Sequence, residues 1–211
     1  MLYLVYAIND IKLRDEDFNY YLDMLPSVFK NKILKRRRWK DAQALLLGKL
    51  LLKHILLTHE SQYTLNDVRL GDTGRPYIND SFDFNITHSG SYVVCAYSNE
   101  GKIGVDLEII ETIDVSNFKN IFEETELEQI ESSEDRQASF YDLWTIKEAA
   151  IKADGRGLIM PLKKIKVKDN KVFIEGCEWF YKKIQFQKNY TLHIATSTFI
   201  EEISELLKIK F

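Results

Sequence analysis

Cysteine is scarce in this chain: Cys95 and Cys177 are the only two, each inside an apolar stretch. Neither has the spacing of a metal-ligand pair, which argues against a cysteine-bound metal and fits a reducing cytoplasm. Long hydrophobic runs are missing too. The greasiest, ALLLGKLLLKHILL (44–57), is interrupted by Lys49, Lys53 and His54 and falls short of the roughly 20 residues a membrane span requires. The N-terminal MLYLVYAI has no positive leader and reads as a core strand, not a signal peptide. A surplus of positive charge is absent. The formal net charge is −3, so the protein as a whole is not built to coat nucleic acid or anionic lipid. No low-complexity linker divides the chain.

Hydrophobic residues make up 45% of the 211 and aromatics 12%, enough for a real core in one large domain or two small ones. The first half reads as a strand over 2–8, a polar loop, a basic stretch KNKILKRRRWK (30–40) and a helix over 41–57. GDTGRPYI (71–78) is a turn, and FNITHSGSYVVCAYS (84–98) is strand, tight SGS loop, strand. In the second half, Thr125-Glu126-Leu127-Glu128 fits a capping box opening a short helix. A longer helix runs over 137–153, stopped by Asp154-Gly155 and Gly157. Strands follow near 164–168, 171–175, 179–187 and 190–198. The expected fold is α+β: two similar lobes, 1–102 and 103–211, packed face to face as a pseudo-dimer with the active site at their junction.

IGVDLEI (103–109) alternates without a slip. Ile103, Val105, Leu107 and Ile109 fall on one face of a strand, and Gly104, Asp106 and Glu108 on the other. The two acids lie about 7 Å apart, close enough to converge on one cation, with Gly104 beside them leaving room for a cofactor. Without a cation, such a face is simply polar and solvated, and neighbouring carboxylates disfavour each other. On the helix LWTIKEAAIKADGRGL (143–158), Trp144, Glu148 and Lys152 share one stripe, with Lys147 and Arg156 close in sequence. That stripe is read either as an ordinary Glu-to-Lys helix pair with a core tryptophan or as shielded charges of a site. Magnesium takes one or two carboxylates plus phosphate and water oxygens, so Asp106, Glu108 and Glu148 suffice. Cations for the phosphates are offered by Lys30, Lys32, residues 35–38, Arg75 and Lys152, and His88 beside the SGS turn is placed for a phosphate contact.

In family order and spacing, GRPYI (74–78), FNITHSG (84–90), IGVDLE (103–108), FEETEL (122–127) and WTIKEAAIKADGRGL (144–158) resemble the motifs of the surfactin-type 4′-phosphopantetheinyl transferases. The resemblance implies a Mg²⁺-dependent transfer of the phosphopantetheine arm of coenzyme A to a serine of an apo acyl or peptidyl carrier protein, releasing adenosine 3′,5′-bisphosphate. It implies Asp106, Glu108 and Glu148 as metal ligands, with Glu148 also taking the serine proton. Lys152 would stabilise the transferring phosphate with Trp144 packed beside it. His88 would meet the 3′-phosphate, Arg75 and Thr87 would line the nucleotide pocket, and Lys32 would add a cofactor contact. Two positions depart from the family pattern: Ala44 and Asn120 stand where family members often carry a basic residue. The fused lobes suggest a monomer. The carrier would dock on the basic 30–40 stretch or on residues 113–131.

Two rival readings share these residues. A Mg²⁺-dependent diphosphate hydrolase would use the same acids and hand the phosphate to water. A non-catalytic nucleic-acid-binding module would use KILKRRRWK, where basic residues flank one aromatic.

Overall fold

The computed structural model describes residues 2–60, 62–79, 82–157, 160–203 and 206–211; Leu158, the last residue of the WTIKEAAIKADGRGL motif, lies outside them. Eleven strands form among the described residues. β1 (Leu2–Ile8), β4 (Asp83–Ser89), β5 (Tyr92–Ser98) and β11 (Leu206–Lys208) make one sheet in the order β11-β1-β5-β4. β6 (Ile103–Ile109), β7 (Lys166–Lys168), β8 (Lys171–Ile174), β9 (Cys177–Lys183) and β10 (Tyr190–Thr196) make a second, in the order β6-β10-β9-β8-β7. All neighbours are antiparallel except β1 and β11, so the end of the chain returns to the first sheet. The GDTGRPYI turn joins a two-residue hairpin, β2 (Arg69–Leu70) and β3 (Pro76–Tyr77). The fold is α+β, as expected.

The two sheets meet through their alternating apolar residues. Leu2 and Leu4 of β1 and Val94 and Ala96 of β5 form one buried cluster with Ile103, Val105 and Leu107 of β6 and Leu192 and Ile194 of β10. Each sheet is covered on its other side by a long helix. α3 (Trp39–His59) packs on the first sheet through Leu46, Leu47, Leu50, Leu51 and Ile55. α5 (Arg136–Asp154) packs on the second through Ile146, Ala149, Ala150 and Ala153. Both helices overlap their expected ranges: α3 is apolar around most of its surface, and α5 is bounded by local cap residues. α5 begins where the Asp135 side chain accepts from the Ala138 amide, and it ends at Gly155, whose φ of 84° closes a left-handed C-cap.

The structure corrects several expectations. The polar loop after β1 contains α1 (Asp15–Asp23), and the first half of the basic stretch lies in α2 (Ser27–Leu34). The short helix α4 (Glu124–Ser132) is capped two residues earlier than Thr125, by Glu123, whose amide is accepted by the Glu126 carboxylate at 2.9 Å.

Gly104 is also reassigned. A Cβ there would lie 1.9 Å from the Ala149 carbonyl oxygen and 2.4 Å from the Ala153 nitrogen, so the glycine admits the backbone of α5, not a cofactor. Backbone cannot give way as a flexible side chain can. Gly104→Ala is therefore expected to destabilise the protein by about 3 kcal/mol, lowering the thermal midpoint by roughly 6–12 °C. An unchanged melting curve would contradict this close approach.

Candidate functional site

Because α5 lies directly on β6, the acids that the strand turns away from the inter-sheet core point at the stripe Trp144, Glu148 and Lys152. The result is a cleft of about 300 Å³ lined by Ile86, Thr87, His88, Asp106, Glu108, Trp144, Glu148 and Lys152. The ordinary Glu148-to-Lys152 helix pair does not form. Lys152 instead crosses to β6, where its Nζ donates to Asp106 Oδ1 at 2.5 Å, Thr87 Oγ1 at 3.2 Å and the Val105 carbonyl at 3.2 Å. Trp144 packs on Phe140 at a centroid distance of 6.0 Å and meets Phe118 edge-on at 6.2 Å. It thereby ties α5 to the aromatic cluster under residues 113–131.

The cleft holds more negative charge than it neutralises. Asp106 Oδ1 accepts from Lys152 and, at 3.3 Å, from the Thr87 hydroxyl; its Oδ2 is buried with no hydrogen-bond partner among the described residues. Glu108 accepts from the Ser89 hydroxyl at 2.7 Å. All three carboxyls are pushed above their usual range. Burial raises Asp106, with Lys152 pulling the other way. Burial, then the charge of Asp106, raises Glu108, against the hydrogen bond from Ser89. Glu148 is raised to about 7 by burial and by the charges of Asp106 and Glu108, which Lys152 offsets in part. One ammonium cannot satisfy two buried acids and a half-buried third. His88 stands exposed at the mouth, its pKa lowered by partial desolvation and by Lys152.

Among the described residues, no three His, Cys, Asp or Glu side chains are gathered as a metal-holding cluster. Lys152 is the one cation that pairs with any of these acids among the described residues. Their chemistry nevertheless suits a hard divalent cation: every donor is an oxygen, as Mg²⁺ prefers, and Asp106 Oδ2 is a buried carboxyl oxygen with no hydrogen-bond partner among the described residues.

Thr87, His88, Asp106, Glu108, Trp144, Glu148 and Lys152 are thus brought together, whereas Arg75 and Lys32 stand apart. The Arg75 guanidinium forms a fork with Asp83, at 2.8 and 2.7 Å, and donates to the carbonyls of Lys152 (2.8 Å) and Ile103 (2.9 Å). It lines a recess of about 200 Å³ with Thr73 and Gly155. Lys32 lines a groove of about 570 Å³ with Phe29, Lys35, Arg36, Lys49 and Pro76. Lys147 and Arg156, although close to Glu148 in sequence, do not surround it. Lys147 is fully buried and donates to Glu126 at 2.6 Å and to the Leu162 carbonyl at 3.2 Å. Arg156 pairs with Asp154 and Glu175. On a helix the residue before Glu148 points about 100° away from it, and Arg156 follows the terminating glycine. Ser89, the partner of Glu108, escapes a sequence reading that treats it only as part of a turn.

The chain is similar to several known proteins. Residues 102–196 match the 4′-phosphopantetheinyl transferase superfamily, and residues 12–100 match the 4′-phosphopantetheinyl transferase N-terminal family. The chain is 31% identical over 175 residues to the 4′-phosphopantetheinyl transferase Sfp of Bacillus subtilis (strain 168), a match covering 79% of this chain and 77% of that protein. It is 29% identical over 212 residues to the 4′-phosphopantetheinyl transferase ffp of Bacillus subtilis, covering 92% and 93%. With the 4′-phosphopantetheinyl transferase gsp of Aneurinibacillus migulanus it shares 38% over 126 residues, covering 58% of this chain and about half, 53%, of that protein.

Proposed function

Since this chain belongs to the 4′-phosphopantetheinyl transferase family, and so moves the phosphopantetheine arm of coenzyme A to carrier proteins, we propose that transfer takes place in the cleft between β6 and α5. Asp106, Glu108 and Glu148 hold a Mg²⁺ ion there. The observation that carries this reading is the partnerless, buried Asp106 Oδ2 amid acids whose ionised forms are all disfavoured. When bound, Mg²⁺ supplies charge screening for the coenzyme's diphosphate and for the departing bisphosphate.

The chain's own groups divide the remaining work. Glu148, kept ionised by the bound cation, accepts the proton of the carrier serine at a carboxylate oxygen. The serine oxygen then bonds to the phosphorus that carries pantetheine. The bond from that phosphorus to the bridging oxygen breaks, and its electron pair leaves with adenosine 3′,5′-bisphosphate. Lys152 attends the equatorial phosphoryl oxygens. Trp144 walls the cleft from water, Thr87 fixes Lys152, and His88 at the mouth meets the 3′-phosphate. The groove with Lys32 accommodates further cofactor charge, and Arg75 serves the nucleotide side by holding the Lys152 turn.

On this reading the lobes are residues 1–102 and 103–211, with β11 of the second crossing back to the sheet of the first, and the enzyme is a cytoplasmic monomer, consistent with two free cysteines. No helix among the described residues is long and apolar enough to cross a membrane. The diphosphate hydrolase and nucleic-acid readings gain nothing from the relatives. Incubation with coenzyme A, Mg²⁺ and an apo carrier protein tests the proposal. A carrier mass gain equal to phosphopantetheine is expected, whereas coenzyme loss without that gain means hydrolysis.

Stability of the metal-free protein offers a further check. Glu148 binds its proton more tightly folded, near pH 7, than unfolded, near 4.5. Between those values the folded state holds the extra proton, so stability falls as pH rises through that window. The loss assigned to Glu148 is of order a few kcal/mol. Glu148→Gln is expected to flatten the pH 4.5–7 slope of the denaturation midpoint relative to wild type; identical slopes would show that Glu148 titrates normally.

A further inference from the structure

β4 and β6 are edge strands of different sheets. Along a strand, successive backbone N–H groups point to opposite edges. β6 gives one edge to β10. Its other edge would leave the N–H groups of Ile103, Val105, Leu107 and Ile109 without strand partners in a buried seam, a costly arrangement. The alternate side chains of β4 take all four. Asp83 Oδ2 accepts from Ile103 at 2.7 Å and Asn85 Oδ1 from Val105 at 3.1 Å. Thr87 Oγ1 accepts from Leu107 at 3.4 Å and Ser89 Oγ from Ile109 at 3.1 Å. Each rung joins residues 20 apart in sequence. Arg75 and Lys152 donate to the carbonyls of Ile103 and Val105. Beyond the last rung, the Tyr190 hydroxyl accepts from the Ser91 amide at 3.0 Å.

The last two rungs reach the acids. A hydroxyl has one proton and two lone pairs. The Leu107 and Ile109 amides occupy lone pairs of Thr87 and Ser89, and the two protons go to Asp106 and Glu108. A slip of β4 along β6 would break every rung and release both carboxylates.

We propose that this side-chain ladder sets the position of the β6 acids, making Asn85 and Ser89 positioning residues for transfer. The proposal rests on the reading of Asp106 and Glu108 as metal holders. It explains why a strand whose Phe84 is buried in the core carries Asp, Asn, Thr and Ser at every second position.

Amide hydrogen exchange of the full chain, measured by NMR, tests the ladder, and Mn²⁺ affinity, measured by electron paramagnetic resonance, tests the positioning. Ser89→Ala is expected to speed exchange at Ile109 about tenfold, leave the β10-facing amides of Gly104, Asp106 and Glu108 protected, and weaken Mn²⁺ binding about tenfold. Ser89→Thr, which keeps the hydroxyl, restores both. Asn85→Leu, which keeps the branched outline but loses the acceptor and touches neither acid, speeds exchange at Val105 and weakens Mn²⁺ binding less than Ser89→Ala does. Unchanged exchange at Ile109 and Val105 overturns the ladder. Faster exchange with wild-type Mn²⁺ affinity overturns the positioning role and leaves the ladder as adhesive between sheets. Full Mn²⁺ affinity in Asp106→Ala overturns the metal reading, and positioning with it, a failure the exchange data tell apart from a missing ladder.

Discussion

Asp106→Ala is expected to cut phosphopantetheine transfer by roughly a thousandfold or more while the protein stays folded. The carboxylate occupies the centre of the charge network: one oxygen binds Lys152 and Thr87, and the other is buried and partnerless. Truncation removes a proposed metal ligand and the counter-charge of Lys152 in one step. The fold survives because the freed ammonium is not trapped. The Lys152 side chain is 28% exposed against 5% for Asp106, so it can turn toward water without a buried charge being left behind. Asp106→Asn retains the shape and one acceptor, and it should fail nearly as badly, since a neutral amide is a poor ligand for Mg²⁺. Near-normal turnover of either variant at saturating Mg²⁺, with an unchanged circular dichroism spectrum, would remove Asp106 from the mechanism.

Lys152→Met is expected to lower kcat by about two orders of magnitude. Three oxygens fix the ammonium at one point, and methionine keeps the packing stem while removing the charge. In the free protein the lost cation leaves Asp106 still harder to ionise, because burial already disfavours its charged form. The thermal midpoint at neutral pH should therefore fall, and fall less in acid where Asp106 is protonated. Lys152→Arg is not expected to rescue turnover. The surrounding oxygens of Asp106, Thr87 and Val105 converge on a compact ammonium, and a planar guanidinium fork does not fit that arrangement. A kcat within threefold of wild type in Lys152→Met would show that the lysine serves the resting protein alone.

Much of this site is legible in the sequence because its signals are local. β6 falls on its expected residues, 103–109, since strict alternation over seven positions leaves a strand little freedom of register. The stripe of Trp144, Glu148 and Lys152 follows from helical spacing alone. The partners of those residues are not local. That Lys152 reaches Asp106 and not Glu148, or that Gly104 makes room for α5 and not for a cofactor, depends on how closely the helix lies on the strand. α1 and α2, at nine and eight residues, are too short to display a persistent apolar period, and β11 has three residues. The period-2 run Asp83, Asn85, Thr87, Ser89 is visible as letters, but its meaning requires knowing that β6 offers an open edge beside it.

Diffraction from crystals grown with coenzyme A and Mn²⁺, with anomalous differences recorded for manganese, tests the metal reading most directly. The expected result is one anomalous peak in the cleft, within about 2.3 Å of Asp106 Oδ2 and of oxygens from Glu108, Glu148 and the coenzyme's diphosphate. A peak held by phosphate oxygens alone, with Lys152 still bonded to Asp106 and all three carboxylates turned from the ion, would contradict it.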